Sequence, residues 1–156
     1  MIYFLHGQDS YRAKRKLEEI LLGYKKTHKS GLNLIYIDPS AGSGQVADFK
    51  DFYSKLNTNS MFAEKKLIIL KNIFGNTKFQ GDFLEDIKNL ENIKDIIIVF
   101  EDCVADKRTK LFKALQKHAK CQEFNYLQPA MLRKWVIAEF GKTKIDSEAL
   151  DLLISF

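Results

Sequence analysis

Proline and cysteine are scarce in this 156-residue chain, with two of each, and a single tryptophan stands beside twelve phenylalanines and six tyrosines. Long apolar runs are missing too. The longest, Leu67 to Leu70 and Ile96 to Phe100, fall far short of the roughly 20 residues a membrane-spanning helix requires. Met1 to Gly7 has neither a basic leader nor a small-residue cleavage site, and Asp9 follows at once, so a cytoplasmic location is expected and a secretory signal is not. Cys103 and Cys121 stand alone, without a CxxC or a nearby histidine pair, and are expected to be buried, reduced thiols rather than a disulfide or a zinc site. With 46% apolar and 29% charged residues the chain is too apolar to be disordered. At this length folding buries roughly 68% of the unfolded surface, so the aromatics can fill a core without staples.

The net charge of +5 is mild but clustered. Arg12, Lys14, Arg15 and Lys16 form one group and Lys25, Lys26 and Lys29 a second. Lys107, Arg108, Lys110, Lys113, Lys117 and Lys120 form a third. On a helix Lys110, Lys113 and Lys117 share one face, opposite Leu111 and Leu115. Two readings stay open for that stripe: a solvated face, or a contact with phosphate or with an acidic protein surface.

Apolar periodicity alternates along the chain. A strand at Ile2 to His6 leads to a helix from Ser10, its expected N-cap, to Tyr24. A strand at Leu32 to Ile37 and a Gly/Ser loop precede a helix with Val46, Phe49, Tyr53 and Leu56 on one face. Lys66 to Leu70 is the third strand. A loop containing Gly75 and Gly81 leads to a helix bearing Phe83, Ile87 and Leu90, then to the strand Ile96 to Phe100, a helix over 107–119 and a strand at Gln122 to Tyr126. Solid β-branched strands alternating with helices predict an α/β domain, a parallel sheet between two helical layers, over residues 1–127. From residue 128 the pattern is helical only. Leu132, Trp135, Val136 and Phe140 share a face, Gly141 stops that helix, and Asp146 caps another that runs to Phe156. A unit of that size buries too little on its own, so 128–156 reads as the start of a helical domain cut short.

Ligands of open α/β sheets bind beyond the carboxyl ends of the strands. A phosphate-binding loop after the first strand needs Gly-x-x-x-x-Gly-Lys-Ser/Thr. Counted from Gly7, those last three positions hold Arg12, Ala13 and Lys14, so the cradle cannot form. The third strand ends in Lys71-Asn72, where a magnesium-holding acidic pair would follow. Gly42-Ser43-Gly44-Gln45-Val46-Ala47 matches a dinucleotide fingerprint only in a loop after the second strand, and a phosphorelay receiver lacks its acceptor aspartate. His6, His28 and His118 have no nucleophile partner at an interpretable spacing, so no catalytic residue, metal or cofactor is expected. Glu101-Asp102 could bind a cation or cap the following helix.

The segment from Asn57 to Lys66 is polar except for the adjacent Met61 and Phe62, flanked by Ser60 and Ala63. Such a pair either folds under into the core or stands out to fill a partner's pocket. The opening Ile2-Tyr3-Phe4-Leu5-His6-Gly7-Gln8-Asp9-Ser10-Tyr11, the run from Ser60-Met61-Phe62-Ala63 through Leu70, the stretch Asp106-Lys107-Arg108-Thr109-Lys110-Leu111 and the stretch Leu132-Arg133-Lys134-Trp135-Val136 follow one another along the chain. Together they resemble the delta subunit of the bacterial DNA polymerase III clamp loader.

The resemblance implies an AAA+ type (RecA-like) domain that has lost its nucleotide site, followed by a helical lid domain. It implies a non-catalytic subunit of a DNA-directed DNA polymerase holoenzyme. Its partners would be the sliding clamp (beta subunit), the gamma/tau and delta prime loader subunits and, through the complex, primer-template DNA. Met61 and Phe62 would enter the clamp. Family members commonly carry Leu-Phe there, and Met conserves the volume of Leu. Two other readings remain: a nucleotide-dependent α/β enzyme with an unrecognised motif, and a basic nucleic-acid-binding module.

Overall fold

Short runs of β-branched and aromatic residues pack well on a pleated surface, and the runs of that kind in this chain form its strands. The computed structural model describes residues 1–28, 30–40, 48–58, 64–141 and 146–155, and these divide into two units, Met1–Phe124 and Asn125–Phe156. In the first unit the strands are β1 (Ile2–Gly7), β2 (Leu34–Ile37), β3 (Leu67–Lys71), β4 (Ile96–Phe100) and β5 (Lys120–Phe124). They form one sheet in the order β2-β3-β4-β1-β5. Every neighbouring pair is parallel, with Phe4 opposite Val99 and Cys121, and Ile69 opposite Tyr36 and Ile98. The carboxyl ends of these strands therefore lie along one edge.

Side-chain alternation splits the strands between two cores. Ile2, Phe4, Ile68, Leu70, Ile97 and Val99 pack beneath α2 (Phe49–Asn57), α3 (Thr77–Asn92) and α4 (Lys110–His118). Leu5, Leu67, Ile69, Ile98 and Phe100 pack beneath α1 (Ser10–Thr27) through Ala13, Leu17 and Tyr24. The result is the expected α/β sandwich of three layers. An aromatic cluster fills the first core, with Phe83 6.4 Å, centroid to centroid, from both Phe52 and Phe79.

Several boundaries differ from the sequence reading, each for a local reason. The cap of α1 is Asp9, not Ser10, because the Asp9 carboxylate accepts the Arg12 N–H. Leu32 and Asn33 lie in a turn, so β2 starts at Leu34. Gly81 lies inside α3, whose cap is Asn76; one glycine costs less than the burial of Phe79, Phe83, Ile87 and Leu90 returns. Tyr53 is exposed while Phe52 takes the buried place on α2, a shift of one position round the helix. Thr109 caps α4, so that helix begins at Lys110 and ends at His118, and β5 runs over 120–124 rather than 122–126. Both cysteines are unpaired but exposed, against the expectation of burial.

The second unit holds α5 (Pro129–Phe140) and α6 (Ser147–Ser155). Pro129 stands in the first turn of α5, and Gly141 stops it with a left-handed φ of 58°. The Asp146 carboxylate accepts the Glu148 N–H at 3.1 Å at the start of α6. No described helix is long and apolar enough to cross a membrane.

Phe83→Ala, which empties a fully buried site, is expected to lower the unfolding free energy in urea by about 3–5 kcal/mol. Tyr53→Ala on the exposed face is expected to change it by about 0.5 kcal/mol or less in the same assay.

Candidate functional site

The carboxyl edge of the sheet is where a ligand would sit, and its first loop is closed by backbone. Gly7 pairs with Phe124 at the end of β1, with φ +145°, and a Cβ there would lie 2.2 Å from the Phe124 carbonyl oxygen. Only glycine fits so close an approach. The next amides are already committed: the Asp9 N–H donates to the Phe124 carbonyl at 2.9 Å and the Ser10 N–H to that of Gln8 at 3.1 Å. The Arg12 N–H donates to Asp9 Oδ1 at 2.9 Å. A carboxylate thus occupies the N-terminus of α1, where an anion-binding loop presents bare N–H groups.

The three residues that stand in for the phosphate-binding signature have other partners. The Arg12 guanidinium lies 3.3 Å from Asp9 Oδ2 and 5.9 Å from the Phe124 ring centroid. Ala13 is buried in the core beneath α1. Lys14 Nζ lies 3.3 Å from Asp102 Oδ1.

Asn72 joins the ends of three strands, a role the sequence reading missed. It is in the left-handed region at φ 53°, which asparagine tolerates better than most side chains. Its N–H donates to the Phe100 carbonyl at 3.0 Å, its amide donates to Asp38 at 3.4 Å, and its Oδ1 accepts the Asp102 N–H at 3.2 Å. The signal lay in its type and place, a turn-forming residue immediately after a buried strand.

Glu101, at the end of β4, is only 5% exposed and accepts the Phe74 N–H at 3.3 Å. It therefore bonds back to the 3-10 turn Ile73–Gly75 and not to the following helix, which is capped by Thr109. Burial pushes its carboxyl from the ordinary 4.5 up to about 7; the Phe74 and Ile73 amides oppose the shift, and Asp38 and Asp102 add to it. Among the described residues no cluster of three His, Cys, Asp or Glu side chains could hold a metal ion.

His6 is buried, stacked 4.3 Å from Phe4, and burial lowers its pKa, so it serves as a neutral packing residue. His118 pairs with Glu91 at 2.7 Å, and His28 stacks on Tyr24 at 4.3 Å. A surface groove of about 680 Å3 between α2 and α3 sets Phe49 and Tyr53 beside Asp82, Glu85 and Asp86, with Lys50 the cation among these described residues. Its charge is wrong for a phosphate.

The basic stripe exists in part. Lys110, Lys113 and Lys117 are exposed on α4 and have no carboxylate partner among the described residues, while Leu111 and Leu115 are buried beneath them. Lys107 is already paired with Glu123 at 2.7 Å and Arg108 with Asp106 at 2.9 Å. The Arg108 guanidinium, bonded to Asp106, holds that carboxyl down at about 2.

Ser60, Met61, Phe62 and Ala63 lie outside the described residues, as do Lys29 and the dinucleotide-like stretch 42–47 with its Val46. What borders the Met61-Phe62 run is described. On one side α2 is capped at its C-terminus by Thr58, whose N–H and hydroxyl both donate to the Ser54 carbonyl, at 3.0 and 2.9 Å. On the other, Glu64 accepts from Ser30 at 2.8 Å and Asn33 at 3.1 Å, and the Tyr24 hydroxyl donates to the Lys65 carbonyl at 2.6 Å.

The family model described as DNA polymerase III, delta subunit, matches residues 3–125. Among solved structures, the Bacillus subtilis DNA clamp loader delta protein superposes with a TM-score of 0.66 at 20% identity, over 98% of this chain and 47% of that one. A DNA polymerase III gamma subunit-related protein of Thermotoga maritima superposes with a TM-score of 0.56 at 18% identity, over 91% and 46%. This chain thus spans just under half the length of each, and at these identities the likeness is one of fold. No curated protein matches the sequence.

A carboxyl with a raised folded-state pKa contributes stability that is full below its unfolded value and lost as pH rises through the folded one, here between about 4.5 and about 7. Thermal melts from pH 5 to pH 8 are expected to show this loss, up to about 3 kcal/mol. Glu101→Gln is expected to flatten the profile and to exceed the parent in stability at pH 8.

Proposed function

This chain belongs to the DNA polymerase III delta subunit family, and from that premise we propose that it binds the sliding clamp through Met61 and Phe62 and favours the opened ring. In this reading it hydrolyses no ATP of its own. The observation that carries it is the family match over residues 3–125, which spans the whole run 60–70.

The chemistry of the carboxyl edge supports the second half. A triphosphate brought to β1 would meet the Asp9 carboxylate at the helix N-terminus, amides already bonded to Phe124, Gln8 and Asp9, and an alanine where a lysine is needed. Loss of fuel chemistry leaves binding as the means of work. A protein that binds an opened interface more tightly than a closed one shifts the ring toward opening by that difference in affinity. Two adjacent apolar side chains suit the task, because methionine adapts to a pocket and phenylalanine brings area.

Lys110, Lys113 and Lys117 are the side chains we assign to an acidic partner, either backbone phosphates of primer-template DNA or a neighbouring gamma/tau or delta prime subunit. Residues 128–156 we read as the opening of the helical lid domain.

Met61→Ala with Phe62→Ala is expected to weaken binding to the cognate clamp by about 2 kcal/mol or more, measured by calorimetry, with the melting temperature unchanged. A large drop in melting temperature in that double variant would mean that the pair is core. ATP with magnesium is expected to leave the melting temperature of the chain where it is; a rise would show a nucleotide site and overturn the fuel-free reading.

A further inference from the structure

We propose that Lys66 is a positioning residue for the segment that carries Met61 and Phe62, its buried ammonium joining the end of α2 to the start of β3 at the base of that segment. The inference rests on the clamp-binding reading above. Lys66 is 6% exposed. Lysines usually extend their stems so that the charge reaches water, and a buried ammonium is costly unless its donors are met.

Here they are met by backbone alone. Lys66 Nζ donates to the carbonyls of Lys55 at 3.0 Å, Leu56 at 2.5 Å and Thr58. Three donors meet three acceptors, and among the described residues no carboxylate pairs with the charge. The acceptors are carbonyls of the last turn of α2 and its cap, groups a helix leaves without internal partners and the negative end of its dipole.

The rest of Lys66 is fixed to the sheet. Its N–H donates to Asp95 Oδ1 at 2.9 Å and its carbonyl accepts the Ile96 N–H at 2.9 Å. One residue therefore ties together the two described elements that flank residues 59–63: its backbone is bonded where β3 begins, and its side chain where α2 ends. The Tyr24 hydroxyl holds the Lys65 carbonyl, and Ser30 and Asn33 hold Glu64, just ahead of Lys66. Fixing both ends of a short recognition segment removes conformations it would otherwise lose on binding, which raises affinity without a new contact to the partner.

A role confined to fold stability predicts a different pattern, so the test uses two measurements. Amide hydrogen exchange is followed on the 156-residue chain without clamp, for the parent, Lys66→Met and Lys66→Arg. Lys66→Met is expected to speed exchange over residues 58–64 by about tenfold or more while β3 and β4 stay protected, as loss of bonds to a charged donor would. Lys66→Arg, which keeps charge and donors, is expected to restore part of that protection.

Clamp affinity is then measured for Lys66→Met with and without Met61→Ala and Phe62→Ala. It is expected to fall about tenfold in the first background and to change little in the second, because coupled residues are not additive. Unchanged exchange at 58–64, exchange sped evenly over the whole domain, or an equal affinity loss in both backgrounds would overturn the proposal. Should Lys66→Met fail to fold, Lys66→Gln, which removes the charge and shortens the reach, carries the same comparison. Absence of clamp binding by the parent chain would sink the clamp-binding reading while the exchange result still decides whether Lys66 closes the base.

Discussion

β3 and β4 have no face left for water. Ile68, Ile69, Leu70, Ile97, Ile98 and Val99 are fully buried, so a helical layer must cover each side of the sheet. Strands buried on both faces pair in parallel through crossover helices, and parallel pairing brings all their carboxyl ends to one edge. That constraint places Gly7, Asp38, Asn72, Glu101 and Phe124 along one edge, although they are scattered from one end of the domain's sequence to the other. It also sends α2 across the same face as α3. The edge and the shared face of α2 and α3 are two products of one packing requirement.

The edge shows how a loop's own side chains can take the place an anion would fill. A helix N-terminus favours an anion by a modest amount, about 0.3–1 kcal/mol at an exposed site. A phosphate-binding loop adds several free amides and a lysine to that small advantage. In this chain Asp9 supplies the anion from within, tethered and always present, and the neighbouring amides bond to Phe124 and Gln8. The loop after β1 serves as a helix cap and a strand contact. Gly7 allows the close approach of β5, so a glycine after the first strand marks a backbone contact here.

The layers were legible because periodicity is a local signal. Ile96–Phe100 reads as a two-sided strand in any context, and Phe83, Ile87 and Leu90 declare a buried helical face. The failed phosphate signature was equally plain, since Arg12, Ala13 and Lys14 are wrong in type whatever surrounds them. What escaped depends on partners remote in sequence. Asn72 acquires its role from Asp38, Phe100 and Asp102, and Glu101 from the turn after β3. Lys65 and Lys66 are neighbours of one type with opposite fates, the first exposed and the second buried, and nothing in the polar run around them says which turns inward. The cysteines failed for a simpler reason: small size allows burial but does not require it, and Cys103 lies in a loop.

Glu101 and Lys66 are two buried ionisable groups, and they meet the same difficulty in different ways. Glu101 accepts amide bonds that fall short of its need as an anion, and its proton is held to about pH 7. Lys66 has a carbonyl for every donor. An apolar side chain at either place would leave the carbonyls or the amide that now meet it without a partner, and that cost, more than any net gain from the buried charge itself, ties each group to its place. What an apolar contact lacks is direction: it tolerates sliding and rotation that an ammonium with three fixed acceptors does not. At a core position that tolerance is harmless, because neighbouring packing fixes the geometry. At the end of α2 the carbonyls of Lys55, Leu56 and Thr58 converge on one ammonium, and a directional charge is the device that holds that end in one place.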